Sequence, residues 1–377
     1  MIRDELTTQA WMEVDLGALR GNFREIQRRV GTGRKIIAVI KADAYGHGAV
    51  EVARALSGLG VHSLATGSFT DALAVRQAGM AIPILLLGNP PPDAIPEILS
   101  HDLTPSLDSF ETAQAVSEAA GNHTSSVFVK VDAGFGRFGV LLEKAPAFVR
   151  RVAELPGIAV EGIYTHLPFS DARGRDWAQS RVAAFEGLVA SLAAGGWRIP
   201  LSQAVASPGI ACGLTDNCGA VACGSLLYGL APVAPGIGDM SGFRPVLHAI
   251  GTRLLHVTER PGNRSRETDA EYLRHGISAT GTVALGMSTG YLTPAPGRKA
   301  FMLLRGRRVP VLRVCLENTV LDLSGVEDPH PGEKVLALGH DGDEEITVEE
   351  MAEWGAVSPL SLLTSFDGRL SCRYLGS

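Results

Sequence analysis

Between residues 36 and 230, short apolar runs alternate regularly with amphipathic helical segments. The apolar runs read IIAVIK, HSLAT, PILLLG, LTPSL, SVFVKVD, AVEGIYTH, LSQAVAS and AVACGSLLY. Runs that are apolar throughout and separated by helices are typical of a parallel sheet covered on both faces. Eight such units favour an α/β fold of the (β/α)8 TIM-like barrel type. A doubly wound sheet remains an alternative, because periodicity alone does not show whether the sheet closes.

The pattern changes after residue 231. A Pro- and Gly-rich stretch over residues 232–248 indicates a boundary, and short alternating runs typical of a β-domain follow: FMLLRG, VPVLRVC, NTVLDLS, KVLALG and EEITV. We therefore expect a barrel domain over residues 1–240 and a C-terminal all-β domain over residues 241–377. Residues 1–13 could associate with the β-domain, and the polar stretch 258–272 is predicted to be a mobile loop.

Composition excludes several classes of protein. The chain has 377 residues, 45% of them apolar, and a formal charge of −6 without a basic tract, so nucleic acid and anionic membranes are poor partners. The N-terminus has no apolar signal region, and no run approaches the ~18 apolar residues of a membrane span, so we expect a cytoplasmic protein. Five cysteines without a C-x-x-C pair indicate reduced thiols, and no metal site is expected.

The stretch IIAVIKADAYGHG over residues 36–48 places a lone lysine, Lys41, at the end of an apolar strand. Burial lowers the pKa of an amine and makes it a nucleophile, as a Schiff base with an aldehyde cofactor requires. The alternative is a structural lysine whose ammonium group reaches solvent at the strand tip. Lys41 alone does not decide between the two.

Further unusual residues fall where the predicted strands end, which is where a (β/α)8 barrel carries its chemistry. They are Lys130, Asp132, Arg137, Thr165, His166, Ser207, Gly224 and Ser225. Individually they have structural explanations, such as a core histidine or a lysine–aspartate ion pair. Ser207 opens a helix and Gly224 allows close approach of the backbone, so together they predict a phosphate site. A phosphate site and a lysine on the same face suggest pyridoxal 5′-phosphate (PLP) as the cofactor.

Several motifs along the whole chain resemble those of the alanine racemases. The stretch AVIKADAYGHG resembles the PLP-lysine signature of that family, which is usually close to VVKANAYGHG. Further similarity lies in WMEVDLGALRGN, KVDAGFGRFG, EGIYTHLPFSD, LLYGLAP and NTVLDLS. The resemblance implies a fold-type III PLP enzyme with a barrel and a β-domain. It also implies a head-to-tail homodimer with active sites at the interface.

The resemblance assigns cofactor-binding roles to matching positions. Lys41 corresponds to the Schiff-base lysine, Tyr45 to the tyrosine that reaches the cofactor phosphate, and His166 to the histidine under the pyridine ring. The remaining phosphate-binding positions are Ser207, Gly224 and Ser225.

Two further positions correspond to the substrate side of the family's site. Arg137 matches the arginine near the cofactor phenolic oxygen and the substrate carboxylate, and Lys130 matches the lysine, often carbamylated, that orients this arginine. An arginine that binds a carboxylate in bidentate fashion implies an amino-acid substrate.

The chain departs from the family at the second catalytic base. Racemisation needs a base on each face of the planar carbanion. The family uses the lysine and the first tyrosine of a motif near GYADGYPR, contributed by the other subunit. This chain reads GMSTGYLT, so Met287 stands at that tyrosine and only the second tyrosine remains, as Tyr291. Methionine can neither give nor take a proton.

A second departure concerns the pyridine nitrogen. The family's VRPGIALYG segment carries an arginine that faces this nitrogen and keeps it unprotonated, whereas VACGSLLYG places Ala222 there. Smaller changes accompany it, at Gln203, Ala206, Leu316, Glu317 and Phe366.

Three functions fit this pattern. The first is an amino-acid racemase or epimerase with a substitute second base, for which the candidates are Tyr291, Tyr164, Cys315 and Glu317. The second is one-base PLP chemistry in specialised metabolism, such as decarboxylation, transamination, elimination or retro-aldol cleavage. The third is a non-catalytic PLP-binding protein, although the single-domain PLP carriers related to this barrel lack the β-domain.

Overall fold

The structure is a computed structural model that describes residues 9–259, 277–366 and 368–376. The predicted mobile loop over residues 258–272 lies outside the described residues from 260 onward, while Thr258 and Glu259 end a strand.

Strands and helices are numbered here in chain order. The strands are β1 Ala10–Asp15, β2 Lys35–Val39, β3 Ser63–Thr66, β4 Ile84–Leu86, β5 Thr104–Leu107, β6 Ser125–Asp132, β7 Val140–Leu141, β8 Ile158–Tyr164, β9 Leu201–Ala206, β10 Ala220–Cys223, β11 Leu247–Glu259, β12 Ala279–Val283, β13 Phe301–Leu304, β14 Arg307–Val314, β15 Thr319–Asp322, β16 Lys334–Asp341, β17 Glu344–Ile346 and β18 Ser371–Leu375. The helices are α1 Leu16–Val30, α2 Lys41–Gly46, α3 Ala49–Ser57, α4 Phe69–Gln77, α5 Ile95–Ser100, α6 Phe110–Ala120, α7 Ala145–Ala153, α8 Ala172–Ala194, α9 Ser207–Ala211, α10 Val348–Trp354 and α11 Pro359–Ser365.

The described residues form two compact units. The barrel unit consists of residues 17–44 and 48–245, and the β-unit consists of residues up to 16, residues 45–47 and residues from 246 onward. The assignment of PLP binding to a domain over residues 1–240 stays a prediction.

The barrel unit contains a closed parallel sheet. Its strands follow the order β5-β4-β3-β2-β10-β9-β8-β6, and β5 pairs again with β6, where Ser106 lies opposite Phe128. A doubly wound sheet would leave both of its edge strands without this pairing. The predicted (β/α)8 TIM-like barrel is therefore confirmed and the doubly wound alternative is wrong.

The helices of the barrel unit are stabilised by an apolar face that packs into the core and by side chains that cap their first turns. The longest, α8, places Val182, Phe185, Leu188 and Leu192 at three- and four-residue intervals, and all four side chains are buried. Three helices begin with a side-chain cap that satisfies a free N–H group of the first turn. These caps pair Ser68 with Asp71, Ser109 with Thr112, and Asp171 with Gly174.

The β-unit is built on a mostly antiparallel sheet, as the alternating runs predict. Its order is β17-β16-β13-β14-β15-β12-β11-β1-β18, and β1 pairs antiparallel with β11 and parallel with β18. The predicted strand over residues 344–348 is too long. It ends at Ile346, because the Thr347 side chain accepts the Glu350 N–H and caps α10.

Among the described helices, none combines the length and the apolar character that crossing a membrane requires. Within the same residues, no three His, Cys, Asp or Glu side chains are grouped so that they could hold a metal ion.

Candidate active site

The residues that the sequence places at strand ends share one rim of the barrel. β6 ends at Asp132, β8 ends immediately before Thr165 and His166, and β9 ends immediately before Ser207. Because the strands are parallel, their C-terminal ends lie at the same rim. The sequence-based positions of these residues are therefore correct.

Lys41 is placed differently from the expectation. β2 ends at Val39, and Lys41 begins α2, a helical turn in which φ is positive at four successive non-glycine residues. These residues are Ala42 (53°), Asp43 (48°), Ala44 (55°) and Tyr45 (57°). A left-handed conformation costs about 1–2 kcal/mol per residue, so neighbouring groups must stabilise it. The predicted order of strand, short turn and helix is therefore correct, but the strand ends two residues before Lys41 and the turn is left-handed.

Asp43 ties this left-handed turn to its surroundings. Its Oδ1 accepts a hydrogen bond from the N–H of Ala49 at the start of α3, at 2.7 Å. Its own N–H donates to Oδ2 of Asp71 at 3.2 Å, and its carbonyl accepts from the Gly48 N–H at 2.9 Å. Lys41 is therefore carried on a turn that is anchored to two neighbouring segments.

Lys41 is partly exposed to solvent in this structure. Its pKa is still lowered, first by partial desolvation and then by the positive charge of Arg137. Exposure keeps the amine accessible to a reactant, and the lowered pKa increases the fraction that is a neutral nucleophile.

Three cationic side chains act on one imidazole at this rim. The pKa of His166 is lowered to about 3, first by desolvation and then by the charges of Lys130, Arg137 and Lys41. The imidazole is therefore neutral at physiological pH, and the surrounding positive charge favours an anionic ligand.

Lys130 is buried beside this imidazole, with only 8% of the residue exposed. Its pKa is lowered to about 7, first by desolvation and then by Arg137, against the opposing attraction of Asp132 and Asp108. Its Nζ lies 4.2 Å from the centroid of the Tyr164 ring. Lys130 is therefore held by an aromatic face and long-range charge.

Tyr164, one of the candidate second bases, is buried within the barrel unit. Its hydroxyl shares a 2.6 Å hydrogen bond with Oγ of Ser106. Desolvation, the largest effect on this phenol, raises its pKa to about 12, so it is protonated at neutral pH. These features suit a structural hydrogen bond better than proton transfer.

Arg137 is carried on a loop that Asp132 organises. The Asp132 carboxylate accepts hydrogen bonds from the backbone N–H groups of Gly134, Phe135 and Gly136 at 2.8–3.1 Å. This carboxylate is thus engaged by the loop backbone rather than reserved for a lysine. At the other end of the loop, the Gly139 N–H donates to Oδ2 of Asp108 at 3.0 Å.

The predicted phosphate site contains converging backbone donors. The N–H groups of Gly224 and Leu226 donate to Oγ of Ser207 at 3.0 and 3.4 Å, and Ser207 is 3% exposed. Ser225 begins the short 3-10 helix that follows. Two donors aimed at one oxygen form a suitable environment for phosphate oxygens.

Ala222, the position that the resemblance matches to the family's arginine, lies in the barrel sheet. Ala222 in β10 pairs in register with Ile37 of β2 and with Ala206 of β9. The nearby Gln203 is buried, and its Nε2 donates to the carbonyl of Val205 at 3.1 Å. The amide nitrogen of Gln203 is therefore engaged by its own strand.

In the β-unit, the loop containing Met287 pairs with the loop after β14. The Met287 N–H donates to the Cys315 carbonyl at 3.0 Å, and the Ser288 N–H donates to the Leu316 carbonyl at 2.7 Å. Met287 and Leu316 are 47% and 64% exposed, and Glu317 is also exposed. The pairing places the Glu317 and Met287 loops side by side.

Tyr291 is enclosed within the β-unit, with 2% of the residue exposed. Within the part of the chain that the structure describes, its hydroxyl has no hydrogen-bond partner, and burial raises its pKa. Tyr45, assigned to the cofactor phosphate, is 8% exposed, and Phe366, one of the smaller departures from the family, is 1% exposed.

Sequence reasoning missed three supports of this site: Asp43, Asp108 and Leu226. Asp108 directly follows the apolar run LTPSL, so the sequence could have predicted an acidic residue at the end of that strand. Leu226 contributes only its backbone N–H, which every residue except proline has, so its side-chain type could not have predicted this role.

The residues present fit PLP. The accessible Lys41 amine suits an aldehyde, and the converging donors around Ser207 suit a phosphate. The neutral imidazole of His166 can lie against an aromatic ring without adding charge, while Arg137 can balance a phenolate or a carboxylate.

Two family models match most of the chain. The model described as alanine racemase, N-terminal domain, matches residues 14–232, and the model described as alanine racemase, C-terminal domain, matches residues 250–374.

Individual alanine racemases match over nearly the full length. The Desulfovibrio desulfuricans protein is 35% identical over 87% of this chain and 89% of its own length, and the Thermodesulfovibrio yellowstonii protein is 32% identical over 96% and 97%. The solved alanine racemase of Clostridium difficile 630 covers 98% of this chain and 96% of its own, with a TM-score of 0.88 and 26% identity. That of Streptomyces coelicolor covers 99% and 100%, with a TM-score of 0.85 and 26% identity. With both domains matched in sequence and fold, the chain belongs to the alanine racemase family of PLP-dependent enzymes.

Proposed function

We propose that this enzyme is a racemase or epimerase that acts at Cα of a small amino acid, with a second base that replaces the family's tyrosine. The convergence of positive charge on the neutral His166 carries the proposal. A substrate carboxylate is the anion that Arg137 would bind in bidentate fashion, which brings Cα towards the accessible amine of Lys41.

The proton transfer on one face belongs to Lys41. PLP held in this site would supply an electron sink that acidifies the Cα–H bond once the substrate amine has replaced Lys41 and released its Nζ as a free amine. The Lys41 Nζ then takes or returns the Cα proton, and its lowered pKa keeps part of the amine in the neutral form that a base requires.

The other barrel residues have binding and orienting roles in this proposal. Ser207, Gly224 and Ser225 hold the phosphate with Tyr45, and the neutral His166 lies against the ring. Lys130, whose Nζ lies 4.2 Å from the centroid of the Tyr164 ring and whose pKa the charge of Arg137 lowers, takes the orienting position beside Arg137 that the family resemblance implies. Ala222 contributes no charge to the pyridine nitrogen, so a neutral group or water is expected there.

The base on the second face has two main candidates. Tyr291, one of the four candidates from the sequence, is buried and its hydroxyl is protonated at neutral pH, which weakens its case within this unit. Glu317 is exposed on the loop that pairs with the Met287 loop. We therefore favour Glu317, donated by a second copy of the chain, over Tyr291 and Cys315.

This assignment requires a head-to-tail homodimer with active sites at the interface, which the family resemblance implies. The exposed Met287 and Leu316 side chains form an apolar surface of the kind that a second copy would cover. We also propose that the enzyme works in the cytoplasm.

The decisive experiment incubates the purified holoenzyme with single amino acids in D2O. Deuterium at Cα together with loss of chirality is the expected result. Exchange with retained chirality, or loss of CO2 or aldehyde, would instead assign one-base chemistry, which the exposed methionine at position 287 favours. A protein that binds PLP without any exchange would be a carrier, and failure to bind PLP would overturn the proposal.

Matched variants identify the second base. Glu317→Gln keeps the size of the side chain and removes its basicity, so racemisation should fall at least ~100-fold while exchange on the Lys41 face continues. Tyr291→Phe is the control, and it should change the rate less than ~3-fold. The opposite ranking would assign the base to Tyr291. Met287→Tyr should raise racemisation if position 287 faces Cα.

A further inference from the structure

The Arg137 guanidinium lies between two aromatic rings of its own loop. Its Cζ is 4.8 Å from the centroid of Phe135 and 5.7 Å from the centroid of Phe138. Both rings are substantially exposed, at 40% and 52%. In the described part of the chain, no carboxylate forms an ion pair with Arg137, so its electrostatic contacts there are with ring faces and other cations. Cation–π contact therefore orients this guanidinium while leaving its N–H donors free for a ligand.

The two rings differ in what else they touch. Phe135 also meets the His166 imidazole edge to face, with centroids 5.9 Å apart and planes at 74°. Phe138 has no ring contact with His166 among the described residues, and it lines a cavity of about 350 Å³ with Phe69 and Leu86. Phe135 alone thus contacts both the carboxylate-binding arginine and the imidazole.

The backbone that carries Phe135 is anchored at several points. The Phe135 N–H donates to Oδ1 of Asp132 at 2.8 Å, between two similar bonds from its neighbours. The adjacent Gly134 packs against α8, where an added Cβ would lie 3.3 Å from Arg181 and 3.6 Å from Trp177. The ring is therefore presented from an anchored loop rather than from a freely moving one.

We propose that Phe135 is a positioning residue that holds Arg137 and His166 in a fixed relation, and so sets the affinity of the site for carboxylates. This inference rests on the proposed role of Arg137 in binding the substrate carboxylate. An aromatic ring is needed, because a leucine of similar bulk supplies neither a π-face for the guanidinium nor a ring edge for the imidazole.

The test compares Phe135→Leu with the matched control Phe138→Leu in the holoenzyme. Propionate serves as the carboxylate probe, and its dissociation constant is measured from the change that it causes in the visible absorbance of bound PLP. Phe135→Leu should weaken propionate binding about 5- to 10-fold and raise KM similarly, with kcat altered less. Phe138→Leu should weaken binding less than about 3-fold, because it removes only the more distant ring.

Rescue distinguishes positioning from general damage to the fold. Phe135→Trp and Phe135→Tyr keep an aromatic face, so both should bind propionate within about 3-fold of the unaltered enzyme. Equal losses in Phe135→Leu and Phe138→Leu, or no recovery in the aromatic variants, would overturn the inference. Absence of racemisation would refute the proposed function separately, since propionate binding is read without turnover.

Discussion

Replacing Asp132 by alanine should loosen the loop that presents Arg137. The carboxylate accepts hydrogen bonds from three backbone N–H groups at 2.8–3.1 Å. These donors are exposed and water can replace the carboxylate, so each bond contributes only about 0.5–1 kcal/mol net. The loop should therefore lose about 2 kcal/mol of local stability, which corresponds to about a 30-fold shift towards open conformations.

This local change should appear in carboxylate affinity rather than in global stability. Only the ordered loop presents Arg137, so the apparent dissociation constant for propionate and the KM for substrate should rise by up to about 30-fold. Asp132→Asn keeps one acceptor oxygen and should show a clearly smaller effect. Propionate titration and urea unfolding measure the two quantities. A Kd within about 2-fold of the unaltered enzyme, together with unchanged hydrogen-exchange protection of the loop amides, would refute the reasoning.

Protonation of Asp132 should have the same effect as its removal, but only in acid. The pKa of Asp132 is lowered on balance. Burial acts to raise it, but the hydrogen bonds from the loop N–H groups and the charge of Lys130 together outweigh burial. A carboxylate with a depressed folded pKa stabilises the structure above its unfolded pKa of ~3.9 and loses that contribution as pH falls through the folded value. The contribution of the loop should therefore be constant across neutral pH.

Three further outcomes are expected. Gly139→Ala should lower the free energy of unfolding by more than ~2 kcal/mol, because φ is 118° at this residue and the added Cβ would lie 2.5 Å from the backbone nitrogen of Asp132. The control Gly136→Ala has open space around it and should lower the free energy of unfolding by only ~1 kcal/mol. Urea unfolding measures both values. The folded pKa of Lys130 is about 7, below the ordinary lysine value of 10.5, so the unfolded chain binds more protons between these pH values and stability should rise with pH there. This rise should vanish in Lys130→Met, and its absence from the unaltered enzyme would show that the lysine does not titrate as a free amine. Asp43→Ala should lower the free energy of unfolding by ~1–2 kcal/mol and should weaken PLP retention, because the Ala49 N–H loses its acceptor. Asp43→Asn keeps an acceptor oxygen and should preserve most of both properties. Urea unfolding measures the stability, and dialysis measures the PLP retention.

The barrel could be predicted from the sequence because the pattern of apolar residues in each strand shows whether one face or both faces of that strand are buried. Strands buried on both faces read as continuous apolar runs, and β6 ends at the predicted residue, Asp132. Short helices were harder. The segments that form α10 and α11 have seven residues each, too few for a helical period to stand out from neighbouring strands.

The left-handed turn at Lys41 could not be predicted from local sequence. Ala42 and Ala44 favour ordinary right-handed helix, so their propensity opposes the conformation that they adopt. Tertiary bonds decide it instead, through Asp43 and its partner Asp71, which lies 28 residues further along the chain. The conformational preference of a single residue cannot predict a hydrogen bond to a partner so distant in sequence.

The charge balance of the site is likewise a property of packing. The sequence shows Lys41, Lys130 and Arg137 on three different segments, and each could have been paired with a carboxylate of its own. The fold instead directs Asp132 to the backbone of its loop and buries Lys130 against an aromatic ring, and the three positive charges together lower the pKa of His166. Any residue that restored a local carboxylate beside Arg137 would compete with the substrate for the same donors. Under the proposed function, carboxylate binding therefore requires an arginine without a carboxylate partner, and the two phenyl rings would hold it without neutralising it.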